Sequence, residues 1–471
     1  MKRSGYFTGF VVACLVATAC SRSGSSAPAT TSAAAAPAGT SAAAAATTTT
    51  ATDQCHSAPL QATDVGVTAS TITIEVMADT GSPLAPGLFQ GNVDAVKAFA
   101  AFVNKTGGVG CRQLLVKSWD SHLDPSESKN GLIDACQNAV SMVGNNALFN
   151  PDVSTLATCA DKTGAATGLP DIPALANDIN EQCAPQAFII QAISETCPIT
   201  KGQPRPEKAM IGPTKWFLQQ TPGLHGLFMV PGDLPTTVQS ATYQIDAQAQ
   251  AGIVWDGTPK VSGSDAQPSY TPRVQLAKTK GSNFVYDGSN DTAMIRMRKE
   301  ATAQGLTSVK TWACSLACYT KAMITQGGAD AEGTYVWMQF LPFEEAASNP
   351  EDQNYVTSVT TPDSFGAQAW QAAVAFQTAV NQIVTKSGPN AITRATLFTA
   401  LKGLTGFTAN GWMGAKDLQG PGAFSDCFLI MQVQNGKFVR VYPTASGQMD
   451  CNASNLVTLT VDPAAEAAKL K

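Results

Sequence analysis

The sequence predicts an α/β protein of two lobes, each a mostly parallel sheet with helices on both faces. Three observations carry this. Strand-like and helix-like hydrophobic periods alternate over residues 66–174, a Pro-rich break falls at 183–207, and the alternation restarts near 227. At 471 residues the chain is also too long for one ordinary core.

Ile72, Ile74 and Val76 alternate with Thr71, Thr73 and Glu75, the period-2 pattern of a strand, which a Gly/Pro-rich turn at 80–87 closes. Val93, Val96, Phe99, Ala100 and Val103 recur at helical spacing, and Gly107-Gly108 stands where a C-terminal cap belongs. A strand at 114–119 completes a βαβ unit. Asp124-Pro125-Ser126-Glu127 then supplies an N-cap, a proline at the first helical position and an acid in the first turn, opening a helix to about Asn138. A strand at 139–143 ends on Gly144-Asn145-Asn146, and a helix near 153–159 and a strand at 169–174 follow.

Beyond the break, strands are expected at 227–230, 253–255, 284–286, 309–314 and 332–340, with helices at 235–252, 291–304 and 319–326. Helices at 364–385 and 394–401 precede a hairpin, 428–433 with 438–442, turned on Asn435-Gly436. The tail after Asp462 reads as a frayed helix.

Lys2, Arg3, the apolar run 7–16 and Ala17-Thr18-Ala19-Cys20 have the layout of a secretory signal. Cys20 resembles the lipidated cysteine of a bacterial lipobox, with Ala17 where leucine is usual; the plainer alternative is a cysteine lost with an ordinary signal. Residues 21–53 are Ala, Ser, Thr, Pro and Gly with Arg22 as the one charge before Asp53, the composition of a disordered tether. Ten cysteines follow Cys20, and an even number in an exported chain argues for disulfides. The expected pairs are Cys111–Cys136, Cys314–Cys318 and Cys427–Cys451, with the partners of Cys55, Cys159, Cys183 and Cys197 left open.

A net charge of −5 with 14% charged residues leaves no basic patch for nucleic acid. The three histidines, His56, His122 and His225, form no metal pair, and neither GxSxG nor HExxH occurs, so no metal or cofactor is expected and an exported hydrolase is the weakest function class.

Taken together, residues 64–79 with Gly87-Leu88-Phe89-Gln90-Gly91, the segment 104–110, Phe284-Val285-Tyr286, and Gly327 to Val336 (GGADAEGTYV) resemble the branched-chain amino acid receptors of ABC importers, the type I periplasmic binding proteins. The resemblance runs in order over about 64–442. It implies two Rossmann-like lobes joined by three crossovers, closing on a small ligand by a hinge. On this chain it implies a signal with Cys20 at 1–20, a tether at 21–60, lobe 1 at 61–204 and 342–419, and lobe 2 at 205–341 and 424–471. The crossovers fall near 202–215, 341–343 and 420–424. It further implies an extracytoplasmic, lipid-anchored monomer that delivers a solute to an ABC permease in the membrane. A ligand-sensing lipoprotein of the same fold is the alternative.

Ligands of open α/β sheets bind beyond the carboxyl ends of the strands. Those loops are 79–83, 119–123, 145–149 and 175–177 on the first lobe, and 231–236, 287–291 and Ser315 on the second. They yield the candidates Ser82, Trp119, Asn145, Asn146, Ala147 and Asn177, then Asp233, Asp287, Ser289, Asn290 and Ser315, and Phe89 stands near the mouth of the cleft. In the amino-acid receptors, hydroxyls and amides after the third and fourth strands hold the ligand carboxylate; Asn145, Asn146, Ala147 and Asn177 occupy those places. The acid that pairs with the ligand ammonium falls near Ser315-Leu316, where no acid stands, which speaks against a free amino acid. Trp119, Phe89 and Phe149 offer faces for an apolar or aromatic solute. Each candidate has a plainer reading: Asn145-Asn146 as a turn, Trp119 and Phe89 as core, Asp79 and Asp120 as helix caps, Ser315 as a helix start, His122 as solvated surface.

Overall fold

In the computed structural model, residues 55, 58–82, 86–192, 197, 203–420 and 424–470 are described. The signal segment, Cys20 and nearly all of the tether lie outside them.

The first sheet is built by β1 (Thr71–Ala78), α1 (Gln90–Asn104), β2 (Gln113–Asp120), α2 (Pro125–Asn138), β3 (Ser141–Val143), α3 (Ser154–Thr158) and β4 (Asp171–Ile172). Its order is β2-β1-β3-β4, all parallel. Helices cover both faces, so the last five residues of β1 are all buried rather than alternately so. Asp124 caps α2 as its sequence implies, accepting from the Ser126 and Glu127 amides at 2.7 and 3.1 Å. A short parallel pair, β5 (Leu175–Ala176) and β6 (Gln191–Ala192), brackets α4 (Ile179–Gln182).

The second lobe begins with β7 (Arg205–Met210), α5 (Gly212–Gln220), β8 (His225–Pro231), α6 (Pro235–Ala251), β9 (Val254–Gly257) and β10 (Lys260–Val261). It continues through α7 (Thr271–Lys280), β11 (Phe284–Asp287), α8 (Asp291–Ala303), β12 (Thr311–Cys314), α9 (Lys321–Thr325) and β13 (Thr334–Met338). The chain then returns to the first sheet with α10 (Pro350–Ser358), α11 (Ser364–Ser387) and α12 (Arg394–Lys402). α11 is buried almost all round; its many alanines let it seat between the sheet, α1 and α12, with Trp370 edge-on to Phe99 at 5.0 Å. Finally β14 (Cys427–Gln434), β15 (Lys437–Tyr442), β16 (Asp450–Cys451), β17 (Leu456–Val461) and α13 (Pro463–Lys469) complete the second lobe.

The second sheet runs β10-β8-β11-β12-β13-β14-β15, with β9 also on β8 and β16 on β14. β8, β11, β12 and β13 are parallel, and β14 and β15 add an antiparallel edge. Asn435 and Gly436 both take positive φ in the hairpin turn, 53° and 68°, which is why that dipeptide marks it. β7 and β17 pair antiparallel against α6. Three connections join the sheets, at 193–204, 339–349 and 403–426, of which 193–196, 198–202 and 421–423 are outside the described residues.

Cys314 pairs with Cys318, and Cys427 with Cys451, the latter directly opposite in the β14–β16 register. The expected Cys111–Cys136 bridge is not formed. Cys111 pairs with Cys55 and Cys136 with Cys159, while Cys183 pairs with Cys197. The cause is local. Next to Cys111, the buried Arg112 guanidinium donates to the Gln61 and Thr68 carbonyls and draws the N-terminal segment over this edge. Cys136 lies at the far end of α2, which packs on α3 and so meets Cys159.

Candidate functional site

In both sheets the first strand has later strands on either side, β1 between β2 and β3, and β8 with β9 and β10 on one side and β11 on the other. Loops at the carboxyl ends diverge at such a switch point and leave a crevice. A cavity of about 230 Å³ lies there, walled by both lobes. The first lobe contributes Leu88 and Phe89 before α1, Leu148 after β3, Asn177 after β5, Gln191 on β6, and Phe365 and Gln368 on α11. The second contributes Asp233 after β8, Tyr243 and Gln248 on α6, Ser289 and Asn290 after β11, Ser315 after β12, and Trp337 and Gln339 at β13.

Much of this wall is apolar and held rigid. Phe89 meets Phe365 edge-on at 4.8 Å, and the Trp337 indole donates to the Tyr286 hydroxyl at 2.9 Å. Burial pushes the Tyr286 phenol well above its usual range, so it stays protonated. Among the described lining residues there is no lysine, arginine or histidine, and Asp233 is the one acid. Its carboxylate already accepts from the Ser262 hydroxyl at 2.5 Å and the Gly263 amide at 2.8 Å. The remaining polarity is amide. Gln368 Nε2 donates to the side-chain Oε1 of Gln191. Asn177 Nδ2, Gln248 Oε1 and Gln368 Oε1 are buried without a hydrogen-bond partner. Across the crevice, the Thr236 hydroxyl of α6 donates to the Leu148 carbonyl at 2.8 Å, a direct bridge between lobes.

Of the residues expected from sequence, Phe89, Asn177, Asp233, Ser289, Asn290 and Ser315 line the cavity. Asn290 also caps α8 through the Ala293 amide at 3.1 Å. Ser82, Trp119, Asn145, Asn146, Ala147 and Asp287 are not in the wall. Asn145 is turned inward: its carbonyl oxygen accepts from the Met77 amide at 2.9 Å and its Nδ2 donates to Asp171 at 2.7 Å, tying β1 to β4. Asn146 and Ser82 are fully buried, and Ala147 packs in a small apolar cluster with Met77 and Leu132. Trp119 joins that cluster, its ring covering Gly131, where a Cβ would lie 2.8 Å from it. Asp287 is fully buried at the end of β11, accepting from the Ser289 amide at 2.8 Å, and burial holds its carboxyl well above the usual range.

Behind the first-lobe rim lies a buried acid pair. Asn145 holds Asp171, and Asn150 donates to Glu181 at 3.2 Å. Burial pushes Asp171 up to about 7, and burial together with the neighbouring acids also holds Glu181 well above the usual carboxylate range.

Sequence reasoning confined to strand ends missed the helix-borne part of the wall. One signal was present: Thr237, Ser240, Gln244 and Gln248 form a polar stripe at helical spacing on α6, and all four line the cavity. Gln191 and Gln368 had no comparable signal, because their meeting depends on a contact 177 residues apart.

A family model described as periplasmic binding protein matches residues 71–437. No curated protein is similar enough in sequence to count as a relative. Among solved structures, the chain resembles an extracellular ligand-binding receptor from Rhodopseudomonas palustris HaA2 at 13% identity and TM-score 0.59, covering 79% of this chain and 100% of that one. It resembles a branched-chain amino acid ABC transporter protein from Thermus thermophilus with bound valine at 14% identity and TM-score 0.60, covering 82% and 98%. An ABC transporter solute-binding protein from R. palustris in complex with benzoate matches at 15% identity and TM-score 0.59, again covering 82% and 98%. At such identities the likeness establishes the fold.

Proposed function

The chain belongs to the periplasmic binding protein family, and on that premise we propose that it is the substrate-binding lipoprotein of an ABC importer. It takes a small amino-acid-like or other small organic solute between lobes 61–204 with 342–419 and 205–341 with 424–471, and closes on it by a hinge. The observation that carries this reading is the cavity at the switch points of both sheets, bridged by Thr236 and the Leu148 carbonyl. The protein acts as an extracytoplasmic monomer, anchored through Cys20 and handing its solute to a membrane permease without chemical turnover. No helix among the described residues is long and apolar enough to cross a membrane, which fits an anchor supplied by lipid at the N-terminus.

The test is a thermal-shift panel of small solutes on the purified exported protein, with the hits followed by small-angle scattering. A ligand that binds only the folded state raises stability by about 2.7 kcal/mol at a hundred times its Kd. Saturable stabilisation with contraction of the molecule and an unchanged solute is the expected outcome. Conversion of the solute to product, or silence across the whole panel, would sink the proposal.

A further inference from the structure

We infer that the solute is uncharged, with an apolar body and a single polar end that both donates and accepts hydrogen bonds, such as a primary amide or an alcohol. This rests on the solute-receptor reading of the cleft.

Charge is the first discriminator. A buried ion needs a partner of opposite sign or a full set of hydrogen bonds. No lysine, arginine or histidine is among the described residues of the wall. The nearby cation Arg205 is committed to Glu207 and to the Tyr243 hydroxyl. An ammonium group fares no better. Asp233 is exposed and occupied by Ser262 and Gly263. Asp287 is shut behind Ser289, and burial favours its neutral form. Ser315-Leu316 at the end of β12 brings no acid.

The unpartnered atoms discriminate further. Asn177 Nδ2 is a donor, while Gln248 Oε1 and Gln368 Oε1 are acceptors, all buried in residues that line the cavity. At the first-lobe end a carboxylate brings acceptors only and leaves the Gln368 oxygen unmet; an ammonium brings donors only and leaves Asn177 unmet. An amide or hydroxyl supplies both roles. Gln368 and Gln191, joined through their own amides, place this polar end on the first-lobe side of the cleft, close to the Phe89–Phe365 aromatic pair. Leaving a buried polar group unpaired costs about 1–3 kcal/mol, which sets discrimination at roughly tenfold to a hundredfold per group.

The experiment uses four probes that share an isobutyl group on the whole exported protein: isovaleramide, isovalerate, isopentylamine and leucine, each titrated by thermal shift and calorimetry. Isovaleramide is expected to bind at least ~10-fold tighter than the three charged probes. In Gln368→Leu, that preference is expected to fall to within about threefold while the unliganded thermal midpoint stays within a few degrees. Leucine, isovalerate or isopentylamine binding as tightly as the amide would overturn the inference and leave the receptor reading standing. So would a Gln368→Leu protein with an unaltered preference; if that variant does not fold, Asn177→Leu carries the same expectation. Failure of these four probes together with every solute in the wider panel would bring down both readings.

Discussion

The two lips of the cleft are made from the same kinds of loop residue and turn most of them in opposite directions, with Asn177 on the first lobe and the buried Asp287 on the second as exceptions. On the first lobe, polar side chains at the strand ends are spent inward. Asp79 is fully buried and accepts from the Ser121 hydroxyl at 2.7 Å, the Leu123 amide at 2.8 Å and the Leu148 amide at 2.8 Å, fastening three loops at once. Asn145 likewise ties β1 to β4. On the second lobe, Asp233, Ser289, Asn290 and Ser315 stay in the cavity wall; Asp233 accepts from Ser262 and Gly263 of the loop 29 and 30 residues on, and Asn290 caps α8. A polar residue at a strand end is therefore a site candidate only once its hydrogen bonds are known to leave it facing the ligand.

The largest effect that separates the lips is expected at Asp79. Asp79→Ala removes one acceptor group from three loop donors and should destabilise by about 3 kcal/mol or more in chemical denaturation. Asp233→Ala, at an exposed position, should cost less than about 1 kcal/mol. Equal losses would break the comparison. The disulfides should follow the same asymmetry through loop length. Removing Cys136–Cys159, separated by 23 residues, should cost about 3 kcal/mol, against about 2 kcal/mol for Cys314–Cys318, separated by 4. The reverse order in matched Cys→Ser pairs would show that native-state packing outweighs loop entropy here.

The effect expected at Asp171 is read against pH, because Asn in its place still accepts from Asn145. Burial raises its carboxyl from 3.8 to about 7. Between those values the folded protein holds a proton that the unfolded chain has released, so stability falls as pH rises from about 4 to about 7. Asp171→Asn removes that slope. Melting curves across this window should be flatter in the variant, and an unchanged slope would mean that Glu181 alone carries the proton.

The same contrast explains what was legible in the sequence. β1, α1, β2 and α2 could be read because period and caps agree: Ile72, Ile74 and Val76 alternate, and Asp124-Pro125 opens the helix in fact as in pattern. β7 was hidden because Arg205, Pro206, Glu207 and Lys208 look like linker; it becomes a strand only through pairing with the distant β17. No element was expected at β17 or α10, although a signal stood at each: Val457, Leu459 and Val461 alternate with threonines, and Asn349-Pro350-Glu351 repeats the start of α2. The site was half legible for a different reason. Topology tells where strand ends lie, which brought Asn177, Asp233, Ser289, Asn290 and Ser315 into the candidate wall, while Phe89 entered as an aromatic near the mouth. It does not tell which way Asn145 turns, nor that α11 swings Gln368 onto Gln191.

The smallest effect tests whether the two lips act on each other. Thr236→Val keeps the size of the side chain and removes only the hydroxyl that donates to the Leu148 carbonyl across the cleft. A neutral hydrogen bond of this kind contributes about 0.5–1.5 kcal/mol. Leu148 keeps its own amide bond to Asp79 in the variant, so the first-lobe lip stays fixed. On the proposed hinge mechanism the loss therefore falls on closure, which shifts affinity by the difference in free energy between open and closed states. The variant is expected to bind solute about threefold to tenfold more weakly with an unchanged unliganded midpoint, and to scatter as a more open particle. A lowered midpoint with unchanged affinity would instead make Thr236 a support for the second-lobe lip alone.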